Sequence, residues 1–346
     1  MSRTSAPPPS PAAGRTLRRL VAEDAVGVTA LVRRVYGERY PRAEVYSAES
    51  IARLDAEGRW LCAVALDAGG AVVGFLALER SETGPVAELS MGVVSPEHRG
   101  EGLTEQLRDL LLEEGRRAGL RGQFTELGTL DTTAQVIAQR APVVPCGLTL
   151  SLWPDFARSR AEAGPPRPRR LSFLRFFRYL GDPEPASVHV PARHRDIVAR
   201  ILSRLGREPV FGEGGAADGA GDISVRAHAP LRSQLLVVER VASNTISQLC
   251  EVTEAFRRDA DMESAHLDLP LADPGAAGLW QRAEELGYVF GGVTPCAFGA
   301  GDGLRLQLLK GDPELGLLRL VHPFARELLD HIAGEIARVS AAGGPR

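Results

Sequence analysis

The stretch EHRGEGLTEQL, residues 97 to 107, places Arg99, Gly100 and Gly102 where an apolar run ends and an amphipathic one begins. A strand that feeds a glycine-rich turn and then a helix leaves several backbone N–H groups unpaired at the helix N-terminus. With the positive end of the helix dipole, those amides suit phosphate oxygens. Glycine serves there because a Cβ would block close approach and because such turns visit φ > 0. Arg99, at the entry, can add a charge-assisted hydrogen bond. A plain connector carrying a surface arginine is the competing reading of the same spacing. The stretch is neither G-x-x-x-x-G-K-[ST], having no lysine, nor G-x-G-x-x-G.

Acid–base candidates lie close by. In VAELSMGVV (86–94), period-2 alternation puts Glu88, Ser90, Gly92 and Val94 on one face, with Glu88 a carboxylate in mid-strand. Glu126 and Asp131, at the end of the neighbouring strand, are reserve acid or base groups, and Asp131 also suits a helix N-cap. Cys62, Cys146, Cys250 and Cys296 lie far apart in apolar contexts, without CxxC or Cys/His ligand spacing. They read as small buried hydrophobes, and no metal site is expected. Cys62 and Cys146 remain formal candidates for acylation. His98 is expected to pack beside the loop rather than act as a base.

These residues need a scaffold. The pattern predicts a strand from Thr16 to Val21, helices over about 23–35 and 47–58, and strands at 60–66, 71–79 and 86–94. After the loop comes a helix with the stripe Leu103, Leu107, Leu110, Leu111 and Ala118, ended by Gly119. A strand at 122–130, a helix at 131–139 and a strand at 144–152 complete the first block. Residues 154–186 are rich in Pro and Arg and read as a connector. They carry Arg158, Arg160, Arg167, Arg169, Arg170, Arg175 and Arg178 among Phe173, Phe176, Phe177 and Tyr179. A second αβ block follows over 187–340. Segments 134–152 and 279–299 echo each other through Pro145-Cys146 and Pro295-Cys296, which suggests a duplicated unit.

At 346 residues the chain has room for two domains, and 44% apolar with 25% charged residues is a globular composition. A net charge of −3 argues against a dedicated nucleic-acid binder. Residues 1–14 form a Pro/Ser/Ala tail without the apolar core of a signal peptide. The longest apolar run, WLCAVAL at 60–66, is too short to span a bilayer, so a cytoplasmic location and no membrane partner are expected.

The segment GVVSPEHRGEGLTEQLRDLLLEEGRRAGLRG resembles the acyl-CoA-binding segment of the GNAT superfamily of N-acetyltransferases. The family pattern Val-x-Pro-x-x-Arg-Gly-x-Gly-x-Gly/Ala is met by Val94, Pro96, Arg99, Gly100 and Gly102, with Thr104 in place of the last small residue. The resemblance implies an α+β fold over 15–153, a mixed, mostly antiparallel twisted sheet flanked by helices. A weaker likeness over 187–340 implies a tandem, degenerate copy whose loop lacks the glycines and arginine. It also implies acetyl-CoA or another acyl-CoA as co-substrate, its pyrophosphate on the amides of Glu101, Gly102, Leu103 and Thr104. The pantetheine arm would pair with the edge at Gly92, Val93 and Val94, and an amide near Val93 would polarise the thioester carbonyl. Glu88, with Asp131 in reserve, would take the proton of a small-molecule amine acceptor. The tyrosine that many members carry on the later helix is missing from DTTAQVIAQ. Tandem folds of this kind include enzymes with a tRNA-bound donor, so tRNA or an acyl carrier protein is the alternative partner for the basic stretch. A non-catalytic CoA-binding scaffold is the third reading, and homodimerisation is left open.

Overall fold

A computed structural model describes residues 14–38, 40, 42–82, 84–130, 132–154, 169–215 and 219–342. The expected tail therefore falls almost wholly outside the described residues, as do Asp131, Arg158, Arg160 and Arg167. The chain divides into two compact units, Met1–Thr125 and Glu126–Arg346.

The first unit runs β1 (Thr16–Arg19), α1 (Asp24–Tyr36), α2 (Ala48–Ala56), β2 (Trp60–Leu66), β3 (Val72–Arg80), β4 (Val86–Val94), α3 (Leu103–Arg117) and the start of β5 (Gly122–Gly128). Its strands lie in sequence order. All pairs are antiparallel except β4–β5, which is parallel across the α3 crossover. Alternation along β3 assigns the two faces. Phe75 and Ala77 join a core with Val28, Leu31 and Val32 of α1 and Ile51 and Leu54 of α2. A Cβ on Gly74 would instead meet Leu107 and Leu103 of α3 at 3.3 and 3.8 Å. Leu103, Leu107, Leu111 and Leu112 are the leucines α3 buries, each worth about 1.5–3 kcal/mol.

The period-2 reading of β4 fails at one place. Ala77 pairs with Ser90 and Phe75 with Val93, so Leu76 alone faces both Met91 and Gly92. This is a β-bulge, with Met91 at φ 53°. Directly opposed residues share a face. Glu88, opposite Glu79, and Ser90 therefore lie with Val93 on the α1 side, whereas Val94, opposite Gly74, lies on the α3 side. The extra residue flips the alternation, so the four side positions expected on one face are divided between two.

The second unit contains α4 (Thr132–Ala138), β6 (Val144–Pro154), β7 (Arg170–Tyr179), β8 (Ala186–Val188), α5 (Arg195–Arg204), β9 (Pro209–Phe211), β10 (Ile223–His228), β11 (Ser233–Val238), α6 (Thr245–Arg258), β12 (Ser264–Pro270), α7 (Ala276–Glu285), β13 (Val289–Phe298), β14 (Gly301–Leu309) and α8 (Pro323–Ala341). Its main sheet runs β7-β6-β13-β14-β12-β11-β10, and β8 and β9 form a small parallel pair. Residues 170–179, read from sequence as connector, are a strand because Arg170, Ser172, Leu174 and Phe176 bury alternate positions. The arginines hid that period. Helix α8 was not anticipated at all.

Two hairpins, β6–β7 and β13–β14, repeat one another. Each first strand is bulged, between Pro145 and Gly147 and between Phe290 and Gly292. Each later bends through a left-handed residue, Ser151 at φ 50° and Cys296 at φ 56°. Ser151 N–H donates to Ser172 Oγ at 3.1 Å, and Cys296 N–H to Asp302 Oδ1 at 3.0 Å. Thr129 N–H donates to Ser172 O and Leu271 N–H to Asp302 O, both at 3.0 Å. Arg175 grips Glu126 at 2.9 and 2.8 Å, as Arg305 grips Asp268 at 2.8 and 2.7 Å. Every match superposes Gly147 on Gly292, and these two pair with each other where β6 meets β13. An approximate two-fold axis passes between them. In this register Cys146 corresponds to Gly291 and Cys296 to Ser151, so the Pro-Cys echo is not the structural equivalence. Order repeats too: β11–α6–β12 is a strand, helix and parallel strand, like β4–α3–β5.

The axis has a steric requirement. A Cβ on Gly292, at φ 139°, would lie 2.3 Å from Gly147 Cα. Gly292→Ala is expected to cost at least about 3 kcal/mol, from backbone overlap and an unfavourable φ. Thermal denaturation checks it. Gly278→Ala, where a Cβ meets nothing within 4 Å, should leave the midpoint nearly unchanged or slightly raised.

Candidate functional site

The sequence-predicted loop leaves β4 through Ser95 and a short 3₁₀ turn, Pro96–His98. Gly100 and Gly102 both adopt left-handed backbone, φ 82° and 73°. Helix α3 starts directly on Gly102, which has no side chain to cap it. The first helical bond described there runs from Gln106 N–H to Gly102 O at 3.1 Å. The N–H groups of Leu103, Thr104 and Glu105 precede that bond and have no partner in the helix itself. At Gly100 a Cβ would meet nothing within 4 Å, so conformation rather than space demands glycine there. The exposed Arg99 stands at the entry. Arg15 reaches Glu101 at 2.5 Å and His98 Nδ1 at 3.2 Å, which offsets the Glu101 charge beside the amides. These features fit a phosphate-bearing ligand such as CoA.

The strand edge is equally defined. Ser95 N–H donates to Val73 O at 2.9 Å, in register with the β3–β4 ladder. Antiparallel bonding alternates, so Val93 also bonds toward β3, while Gly92 and Val94 turn their backbone groups away from it. Of the three amides expected to face a ligand, Val93's is thus committed to the sheet, and those of Gly92 and Val94 are directed outward.

Two tyrosines near this edge went unnoticed in the sequence. Tyr36, the last residue of α1, donates its hydroxyl to Gly92 O at 3.2 Å. Its ring lies 5.0 Å from that of Tyr40. Burial pushes Tyr40 up to about 12, opposed by Arg42 and by a hydrogen bond from the Met91 backbone. Glu88 lies within electrostatic reach of Tyr40 and Arg42, and Arg42 donates to both oxygens of Glu79 at 2.8 and 2.7 Å. The i, i+4 spacing of the two tyrosines was the available signal, and Gly37 ends the helix between them.

Other candidates are otherwise engaged. Glu126 is raised by burial, but Arg175 and Arg305 outweigh that and hold it below the usual carboxylate range. Burial pushes the Cys146 thiol up to about 12 and Cys62 higher still, so neither is a nucleophile at neutral pH. Arg170 donates to Ser151 O, Leu152 O and Leu231 O, and Arg169 to Glu263. With Arg175 on Glu126, these arginines serve the fold. Around the turn ahead of α6, backbone N–H groups bond side chains. Val241 N–H bonds Asp273, Ala242 N–H bonds Thr245 Oγ1, and Gly221 N–H bonds Asn244, at 2.8, 2.9 and 2.8 Å.

Among the described residues, His194, Glu284 and Glu335 have ligand atoms within 4.8 Å of one another, as a metal would need. Arg193 contacts Glu284, and Arg338 bonds Glu284 at 2.9 Å and Glu335 at 2.5 Å. Two guanidinium groups already balance the two carboxylates. A divalent ion would leave two uncompensated positive charges in a buried site, which is costly. His194, stacked 4.0 Å from Trp280, bonds Glu284 at 2.9 Å as a neutral ring.

Burial pushes both His194 and His266 down to about 3. An unfolded histidine titrates near ~6.5, so the unfolded chain takes up protons first as pH falls. The contribution of these neutral rings is complete above ~6.5 and declines from there toward about 3. Neither nitrogen of His266 has a hydrogen-bond partner. His266→Leu is therefore expected to lose less stability than the parent between pH 7 and 5, read from urea midpoints.

Residues 26–138 match the model of the acetyltransferase (GNAT) family. No curated protein matches the chain. Similar solved structures include a phosphinothricin acetyltransferase from Sinorhizobium meliloti in complex with AcCoA, 23% identical over 49% of this chain and 90% of that one, TM-score 0.38. The ribosomal-protein-S18-alanine N-acetyltransferase of Escherichia coli is 16% identical over 48% and 94%, TM-score 0.37. A spermidine N-acetyltransferase variant from Vibrio cholerae is 17% identical over 49% and 95%, TM-score 0.36. No helix among the described residues is long and apolar enough to cross a membrane.

Proposed function

We propose that this protein is an acyl-CoA-dependent N-acyltransferase that moves acetyl or another short acyl group to the amine of a small molecule. The observation that carries the reading is the uncapped start of α3 behind two left-handed glycines, in a segment that matches the acetyltransferase family. The amides of Glu101, Gly102, Leu103 and Thr104, with Arg99 at the entry, would hold the pyrophosphate. Gly92 and Val94 would pair with the pantetheine arm and donate to the thioester oxygen as it gains charge.

An alkyl ammonium titrates near ~10, so at neutral pH it must lose a proton before attack. Glu88 would accept it, directly or through water. The amine nitrogen bonds to the thioester carbon, the C–S bond breaks, and the surplus proton on nitrogen passes through water to the departing thiolate. Asp131 stands as the reserve base. The second αβ block, about 187–340, is in this reading a diverged copy without a cofactor site, since its corresponding turn is filled by Asp273, Thr245 and Asn244. A tRNA or carrier-protein donor draws less support, because Arg169, Arg170 and Arg175 are bound within the fold. Release of CoA thiol from acetyl-CoA across a panel of primary amines tests the reading. Binding of CoA with no thiol release from any amine would replace it with a CoA-binding scaffold.

A further inference from the structure

The bulge in β4 is held from outside the sheet. A bulge takes backbone groups off the ladder and leaves their direction to other contacts. Here Met91 sits at φ 53°, a conformation most side chains avoid, so surrounding contacts must impose it. Val32, Tyr36, Tyr40, Val45, Met91 and Val93 line one small hollow beneath the bulge. The Tyr36 hydroxyl takes the Gly92 carbonyl, and the Tyr40 hydroxyl meets the Met91 backbone. The same last turn of α1 has a second tie: Arg34 pairs with Glu97, and Glu97 also accepts from Ser95 Oγ. The end of α1 thus grips both the strand edge and the turn that leads to Arg99. Its own position is fixed by Val28, Leu31 and Val32 in the core.

We propose that Tyr36 is a positioning residue for the pantetheine-reading edge, holding the Gly92 carbonyl so that Gly92 and Val94 present their backbone groups in one direction. The inference rests on the reading of this edge as an acyl-CoA site. A carbonyl oxygen has two lone pairs, so Tyr36 can hold one while a pantetheine amide N–H uses the other. The nucleotide end of the ligand would lie on the glycine loop, to which Tyr36 makes no hydrogen bond among the described residues. Removing the hydroxyl therefore affects one half of the ligand and spares the other.

The test is calorimetric titration of the full chain and of Tyr36→Phe with two probes, CoA and adenosine 3′-phosphate 5′-diphosphate, which lacks pantetheine. Tyr36→Phe should bind CoA about five- to tenfold more weakly and the nucleotide within twofold of the parent, as expected for one lost hydrogen bond. Equal weakening of both probes would assign Tyr36 a general structural role and overturn the proposal. Unchanged binding of both would overturn it as well. If the parent chain binds neither probe, the acyl-CoA reading itself fails, an outcome separate from either result in the variant. A thermal midpoint for Tyr36→Phe close to the parent's establishes that the ring alone keeps the fold.

Discussion

Gly102→Val is expected to weaken CoA binding by at least about a hundredfold while the chain stays folded. Gly102 has φ 73° and opens α3. A residue with a Cβ pays roughly 1–2 kcal/mol to stand in left-handed backbone, and β-branching adds to that. The first turn of α3 cannot shift to relieve this, because Leu103 is buried 2% exposed and Leu107 is fully buried. The added side chain would then crowd the amides, or the local backbone would rotate them out of line. Charge-assisted hydrogen bonds are worth about 1.5–3 kcal/mol each, so losing two amounts to a hundredfold or more. Calorimetry with CoA measures the effect, and the thermal midpoint separates it from unfolding. Unchanged affinity would remove the loop from the mechanism.

Glu88→Gln is expected to lower turnover by about 10²- to 10⁴-fold with acetyl-CoA affinity near normal. Glutamine keeps the size of the side chain and loses the base. Residual activity should then rise steadily toward pH ~10, where the amine sheds its proton without help. The parent should instead reach its plateau at lower pH. Full activity in the variant would move the base to Asp131 or to solvent. Glu126 is a poor substitute, since Arg175 and Arg305 hold it as a bound carboxylate.

What the sequence made legible was local. Ser47 caps α2 by accepting from Ser50 N–H at 3.1 Å, and Gly119 closes α3 at φ 79°, both as their residue types imply. The loop at Arg99–Thr104 could be read because glycine needs and helix starts are encoded within a few residues. The division of β4 was hidden, since nothing in VAELSMGVV marks Met91 as the inserted position. Strand β7 was obscured for another reason. Its inward positions include Arg170, which donates to carbonyls of Ser151, Leu152 and Leu231, distant along the chain. The likeness between the two hairpins was not legible at Pro145-Cys146 and Pro295-Cys296. β6–β7 and β13–β14 match about Gly147 and Gly292, whose importance lies in what a Cβ would strike. The contact of Tyr36 with Gly92 was not legible, because it is made at the bulge.

The most direct measurement is a calorimetric titration of the full chain with CoA. One site per chain is expected, formed at the start of α3, and no second site, because backbone N–H groups of the turn before α6 already bond Asp273 and Thr245. Two sites per chain, or no detectable binding at millimolar CoA, would contradict it.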